Sequence, residues 1–99
     1  MYELSLRYKQ LILEAMLYHF PRARVILFGS RARGDNKDVS DVDLAIDNEG
    51  KVIAFSEMSR ARVTLEHLPI ALTVDLVDFN LIPQLLKEEI TREGKVWKS

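Results

Sequence analysis

Cysteine is absent from the 99 residues, which excludes disulfide scaffolds, cysteine-based zinc sites and thiol catalysis together. Proline and glycine are sparse, at three and four residues, so the composition is far from collagen-like or linker-like. No uncharged run approaches the ~18 residues of a membrane-spanning helix. Met1 to Gln10 carries Glu3, Arg7 and Lys9 where a secretion signal needs an apolar block. A soluble cytoplasmic protein is expected. Neither sign of charge prevails, since 14 Lys plus Arg against 15 Asp plus Glu leave a formal net charge of −1. That gives no basic field for tracking a nucleic-acid backbone or anionic lipid, and neither partner is supported.

What is present is a folding sequence. A hydrophobic share of 47% is too high for disorder, and the length suits a single domain over residues 1–99. Leu4, Tyr8, Leu11, Ile12, Ala15 and Met16 recur at steps of three and four, predicting a helix that Pro21 ends. Arg24 to Phe28 reads as a strand buried on both faces and stopped by Gly29. From Gly29 to Ser40 the residues turn polar, with Ala32 and Val39 as the apolar exceptions. Val42, Leu44 and Ile46 then alternate with Asp41, Asp43, Ala45 and Asp47, the period of a strand with one buried face. A second amphipathic helix is predicted over 52–67, a third strand over Leu72 to Val77, and a last helix from near Leu81 to Gly94. Lys95 to Ser99 is left unassigned. About 12 residues join the first two strands, too few for a full crossover, so they should be antiparallel. The expected fold class is α+β, a small mixed sheet with helices mainly on one face.

Asp41, Asp43 and Asp75 stand in apolar strand contexts, where aspartate is normally depleted. Asp41 and Asp43 are two apart and point to one face, their Cα atoms about 6–7 Å apart. Carboxylates that close raise each other's pKa unless a cation neutralises them. Mg²⁺ suits this role, because it prefers a few carboxylates plus substrate phosphate oxygens to a full protein cage. If the third strand lies beside the second, Asp75 completes a three-carboxylate set suited to two ions. An isolated Asp-x-Asp is common at strand ends, so the pair alone carries little. Asp47 shares the parity of Asp41 and Asp43 but leads into a turn and reads as a solvated strand end. Asp78 has the opposite parity to Asp75 and reads as a helix cap.

Gly29-Ser30-Arg31-Ala32-Arg33-Gly34 follows a buried strand directly. Its backbone N–H groups can face a phosphate, Ser30 adds a hydroxyl, and Arg31 and Arg33 add planar donors for phosphate oxygens. It is not a P-loop, because Asp35-Asn36 stands where Lys and Ser/Thr are required. Nor is Asp35 to Asp43 an EF-hand, since its sixth position is Ser40 rather than glycine. Solvated turn charges are the plainer role for the two arginines. His19 and His67 lie near helix ends, where capping is the simpler role than metal ligation. Trp97 is suited to packing on the domain or on a partner.

Taken together, Gly29-Ser30, ten intervening residues, Asp41-x-Asp43 and then Val74-Asp75-Leu76 resemble the signature of the DNA polymerase β-like nucleotidyltransferase superfamily. Leu27 to Gly34 with Ser40 to Ile46 looks more closely like its minimal nucleotidyltransferases, the MNT family. The resemblance implies that Gly29 and Ser30 cradle the β- and γ-phosphates of ATP and that Asp41, Asp43 and Asp75 hold Mg²⁺, two ions in all. Asp75 also accepts or orients the attacking hydroxyl, and Arg31 or Arg33 neutralises the leaving pyrophosphate. It further implies an antitoxin that adds AMP to a tyrosine of a helical HEPN ribonuclease toxin and forms a hetero-oligomer with it. Larger members of the superfamily hold the acceptor with added domains. This chain ends soon after its third strand and a helix, so the acceptor is expected on another chain. Two alternatives accompany this expectation: an antitoxin that acts by binding alone, and a subunit that adenylylates a small molecule such as an aminoglycoside.

Overall fold

The structure, a computed structural model, describes residues 4–37 and 39–99. Met1 to Glu3, part of the leader reading, and Asp38 in the polar segment lie outside the described residues. Helix α1 spans Leu6–His19, with the hydroxyl of Ser5 accepting from the Tyr8 amide at 3.1 Å as its N-cap. Strand β1 (Arg24–Phe28) is followed by a single helical turn, α2 (Ser30–Arg33), and then by β2 (Val42–Asp47). Helix α3 (Phe55–Glu66) leads to β3 (Val74–Asp78), and α4 (Gln84–Glu93) to β4 (Lys95–Lys98).

The four strands form one sheet in the order β3-β2-β1-β4. β1 is antiparallel to β2 and to β4, as the short β1–β2 connection predicts, whereas β2 is parallel to β3 across the α3 crossover. The fold class is therefore α+β with a mixed sheet. Val25, Leu27, Val42, Leu44, Ile46 and Leu76 line one face and bury α1 and α3 through Ile12, Met16, Met58, Ala61 and Leu65. His19 Nε2 lies 2.7 Å from Thr64 Oγ1, joining the two helices, and His67 Nδ1 lies 2.8 Å from the Val63 carbonyl at the α3 end. The opposite face is covered by α4, whose Ile90 packs on Ile26 and Ala45. Among the described residues no helix is long and apolar enough to cross a membrane.

Several boundaries differ from the sequence expectation. The second helix starts at Phe55 rather than at 52, because the Ile53 amide donates to the buried Asp78 carboxylate at 2.7 Å and holds the preceding chain extended. Asp78 is thus an anchor for Ile53 and for the Asn80 amide (3.0 Å), and the helix it was expected to cap starts instead after Pro83. The third strand is displaced to Val74–Asp78, and Leu81 sits in a turn that bonds back to the Asp78 carbonyl. The unassigned tail is a strand, with Trp97 packed against the main core under the Lys9 ammonium. Gly94 makes this strand possible: a Cβ there would collide with the Ile90 carbonyl and come within 2.7 Å of Ile26 Cγ2. Gly94→Ala is therefore expected to cost about 1–3 kcal/mol, the usual penalty of overpacking, read as a lower urea midpoint; an unchanged midpoint would show that β4 can lift off freely.

Candidate active site

Strand pairing assembles the site. Phe28, the last residue of β1, is directly opposite Asp43, and Asp43 is in register with Asp75 on the parallel neighbour. The three share the sheet face of Ile26 and Ala45, at the margin of the cluster that α4 covers. Adjacent strands lie about 4.8 Å apart, so Asp43 and Asp75 stand side by side. Asp41, one residue before β2, is exposed, as is Asp75, while Asp43 is half-buried.

The Gly-Ser turn closes over this pair. Gly29 has φ +77° and ψ −155°, backbone that L side chains rarely adopt. A Cβ at Gly29 would collide with Asp43 Oδ2 and stand 3.1 Å from its Cγ. The turn and the carboxylate are thus in contact through a gap that only glycine leaves. From Ser30 the chain makes the single turn of α2, with Ala32 and Arg33 amides donating to the Gly29 carbonyl, each at 3.1 Å.

The two arginines of the turn diverge. Arg31 is 8% exposed, and its Nε and Nη2 both donate to the Ser40 carbonyl, at 3.1 and 2.8 Å. Arg33 faces outward: Nε donates to Asp35 at 3.2 Å and Nη1 lies 3.7 Å from Glu93 Oε2. Among the described residues that buried oxygen has no hydrogen-bond donor, so the Arg33–Glu93 contact is a loose ion pair. The charge of Arg33 also reaches Asp43, where it favours the ionised carboxylate. Glu93, at the end of α4, gave no sequence signal of its own; its place beside Arg33 follows from the antiparallel return of the chain through β4.

Electrostatics separate the acids of β2. Burial, then the like charges of Asp75 and Asp41, push the Asp43 carboxyl above the ordinary carboxylate range, against the pull of Arg33. At the other end of the strand burial also acts on Asp47. There it is outweighed by hydrogen bonds from Asn80 Nδ2 (2.8 Å) and the Gly50 amide (2.9 Å) and by Arg24, 3.3 Å away, which hold it below that range. Asp47 is thus a hydrogen-bonded strand end rather than a solvated one. Oxygen-only donors that repel one another, next to a glycine cradle, match what a hard divalent cation requires. The structure brings Asp43 and Asp75 together and Asp41 within reach of their charge. Among the described residues, however, no three metal-ligating side chains converge on one point.

The polymerase beta nucleotidyltransferase family model matches residues 13–99. A protein of Methanocaldococcus jannaschii, whose name provisionally assigns it as a protein adenylyltransferase, is 34% identical over 87 residues, 87% of this chain and 89% of that protein. Among solved structures, a toxin–antitoxin with AMP-PNP matches with a TM-score of 0.77 at 22% identity, covering 92% of this chain and 73% of that one. A chain from the tri-AMPylated Shewanella oneidensis HEPN toxin in complex with MNT antitoxin gives 0.71 at 20% identity, covering 94% and 71%. At those identities the two structures establish the fold.

The opposite shifts of Asp43 and Asp47 give opposite pH signatures. A carboxyl with a raised folded pKa contributes stability below its unfolded pKa and loses it as pH rises through the folded value; one with a lowered pKa contributes above its unfolded value and loses it as pH falls. Without metal, Asp43→Asn is expected to melt a few degrees above wild type near neutral pH and Asp47→Asn a few degrees below. Both differences should shrink below about pH 3. Thermal melts across that range check this, and an Asp43→Asn protein no more stable than wild type at neutral pH would remove the like-charge reading.

Proposed function

The chain belongs to the polymerase beta nucleotidyltransferase family. From that membership we propose that it transfers AMP from ATP to a tyrosine hydroxyl of a helical HEPN-type toxin, acting as the antitoxin of the pair. The observation that carries this reading is the contact of Gly29 with Asp43, which sets a backbone turn able to approach phosphate directly against a carboxylate pushed up by burial and by the like charges of Asp75 and Asp41. The likeness of the fold to toxin–antitoxin structures, one with AMP-PNP and one with an AMPylated HEPN toxin, supports the donor and the partner. The relative named as a protein adenylyltransferase supports transfer to a protein. A cytoplasmic setting, where ATP is supplied, belongs to the same proposal.

In this reading Gly29 and Ser30 hold the β- and γ-phosphates. Asp41 and Asp43 would hold the cation shared with the triphosphate, and Asp75, beside Asp43, would contribute to a second. Two Mg²⁺ ions, when bound, supply charge neutralisation at the triphosphate and at the attacking oxygen. The tyrosine oxygen forms its bond to the α-phosphorus as the bond to the pyrophosphate oxygen breaks, and Asp75 takes the hydroxyl proton. Arg33, hydrogen-bonded to Asp35 and loosely paired with Glu93, neutralises the departing pyrophosphate. Most of the rate comes from positioning and from fixed charge.

With labelled ATP and Mg²⁺, the wild-type protein is expected to label a tyrosine of its HEPN partner. Asp41→Ala combined with Asp43→Ala should abolish the label, and Arg33→Ala should lower the rate on the order of 10²-fold, as for loss of one charge-stabilising donor. Equal labelling by wild type and the double variant would end the catalytic assignment.

A further inference from the structure

Ser40 is the residue through which the polar segment enters β2, and it is fixed on three sides. Its amide donates to the Lys37 carbonyl at 3.1 Å, its hydroxyl accepts from the Lys37 amide at 2.8 Å, and its carbonyl accepts two hydrogen bonds from Arg31. The next residue but one, Val42, donates its amide to the Thr73 carbonyl of the β3 side at 2.9 Å. Asp41 lies between these two anchors with its side chain exposed. Arg31 belongs to the first turn after Gly29-Ser30, so its guanidinium is the side-chain link between the turn that would hold phosphate and the backbone that carries Asp41. A buried arginine with two donors on one carbonyl is a poor candidate for direct phosphate contact, because turning outward would break both charge-assisted bonds and leave that carbonyl without them.

We propose that Arg31 is a positioning residue that holds Asp41 against the Gly29-Ser30 turn through the Ser40 carbonyl, and that Arg33 alone of the two meets the triphosphate. The proposal rests on the reading of Asp41 as a carboxylate for a divalent ion. Its consequence is that Arg31 governs cation affinity without touching either the cation or the phosphates, as outer-sphere partners of metal ligands do.

Arg31→Gln and Arg31→Lys separate this role from a phosphate contact. In the metal-free protein, hydrogen exchange at the Ser40 and Val42 amides is expected to be about tenfold or more faster in Arg31→Gln, as the loss of charge-assisted bonds implies, with residues 44–47 unchanged. Arg31→Lys, which keeps one donor, should fall between and serves if the glutamine variant does not fold. With Mn²⁺ alone as the probe, followed by water-proton relaxation, Arg31→Gln should bind about tenfold more weakly but cost nothing further on an Asp41→Asn background. Affinity for inorganic tripolyphosphate without metal should not change. Unchanged exchange at Ser40 and Val42, or an equal Mn²⁺ loss on the Asp41→Asn background, overturns the proposal, as does a tenfold loss of tripolyphosphate affinity. A wild-type protein that binds no Mn²⁺ would count against the metal reading of Asp41, while the exchange measurement would still decide whether Arg31 holds the entry to β2.

Discussion

The geometry of the site depends on how closely the backbone at Gly29 approaches the side chain of Asp43. β1 and β2 pair antiparallel with Phe28 opposite Asp43, so the residue after the strand must pass over the carboxylate. A side chain at that position would occupy the carboxylate's own space. The positive φ of Gly29 then sends the chain directly into the turn of α2 instead of onward along the sheet. Alternation in β2, register with β3 and the direction of the polar segment all meet at this contact. The core that enforces it lies on the other face, where Val42, Leu44 and Ile46 are fully buried beneath α1 and α3.

That core also accounts for the tolerance of an acidic site. Asp43 is half-buried with two like charges nearby, an arrangement that works against folding at neutral pH whenever no cation is present. A small domain can carry such a cost only where well-packed apolar residues offset it, and β2 supplies those residues at every second position along the same strand. Asp47, at the far end, shows what an aspartate on this strand becomes when function does not require it free. It is paired with Arg24 and accepts from Asn80 and Gly50. The contrast between the two ends distinguishes the Asp43 end more clearly than acidity alone would.

How much was legible in the sequence varied with the range of the interaction involved. β1 could be read to the residue and β2 to within one, Asp41 falling just before the strand, because period and burial agree within a five- or six-residue window. The antiparallel pairing followed from the length of one loop. Asp43 beside Asp75 required only that β3 neighbour β2. What could not be read was set by long-range contacts: Asp78 reaching back to Ile53 shortened α3, and the close approach of Gly94 to Ile26 turned the tail into β4. Neither leaves a local pattern. α4 on the opposite face is of the same kind, since its apolar stripe fits either side of a sheet, and pairing of β4 with β1 determined which.

The two arginines illustrate a limit that applies even inside a well-read motif. Ser30-Arg31-Ala32-Arg33 presents them as equivalent donors. Once the segment takes a helical turn, however, residues two apart diverge by about 200° around its axis. One must point toward the protein and the other away from it. The inward direction meets the Ser40 carbonyl, which has to be satisfied because the chain enters β2 there; the outward direction meets Asp35, Glu93 and the field of Asp43. A motif with a single arginine could tie the turn to the acidic strand or present a charge to the triphosphate, but helical geometry forbids one side chain from doing both. The spacing of two therefore places one guanidinium on the Ser40 carbonyl and leaves the other among Asp35 and Glu93, within a turn of only four residues.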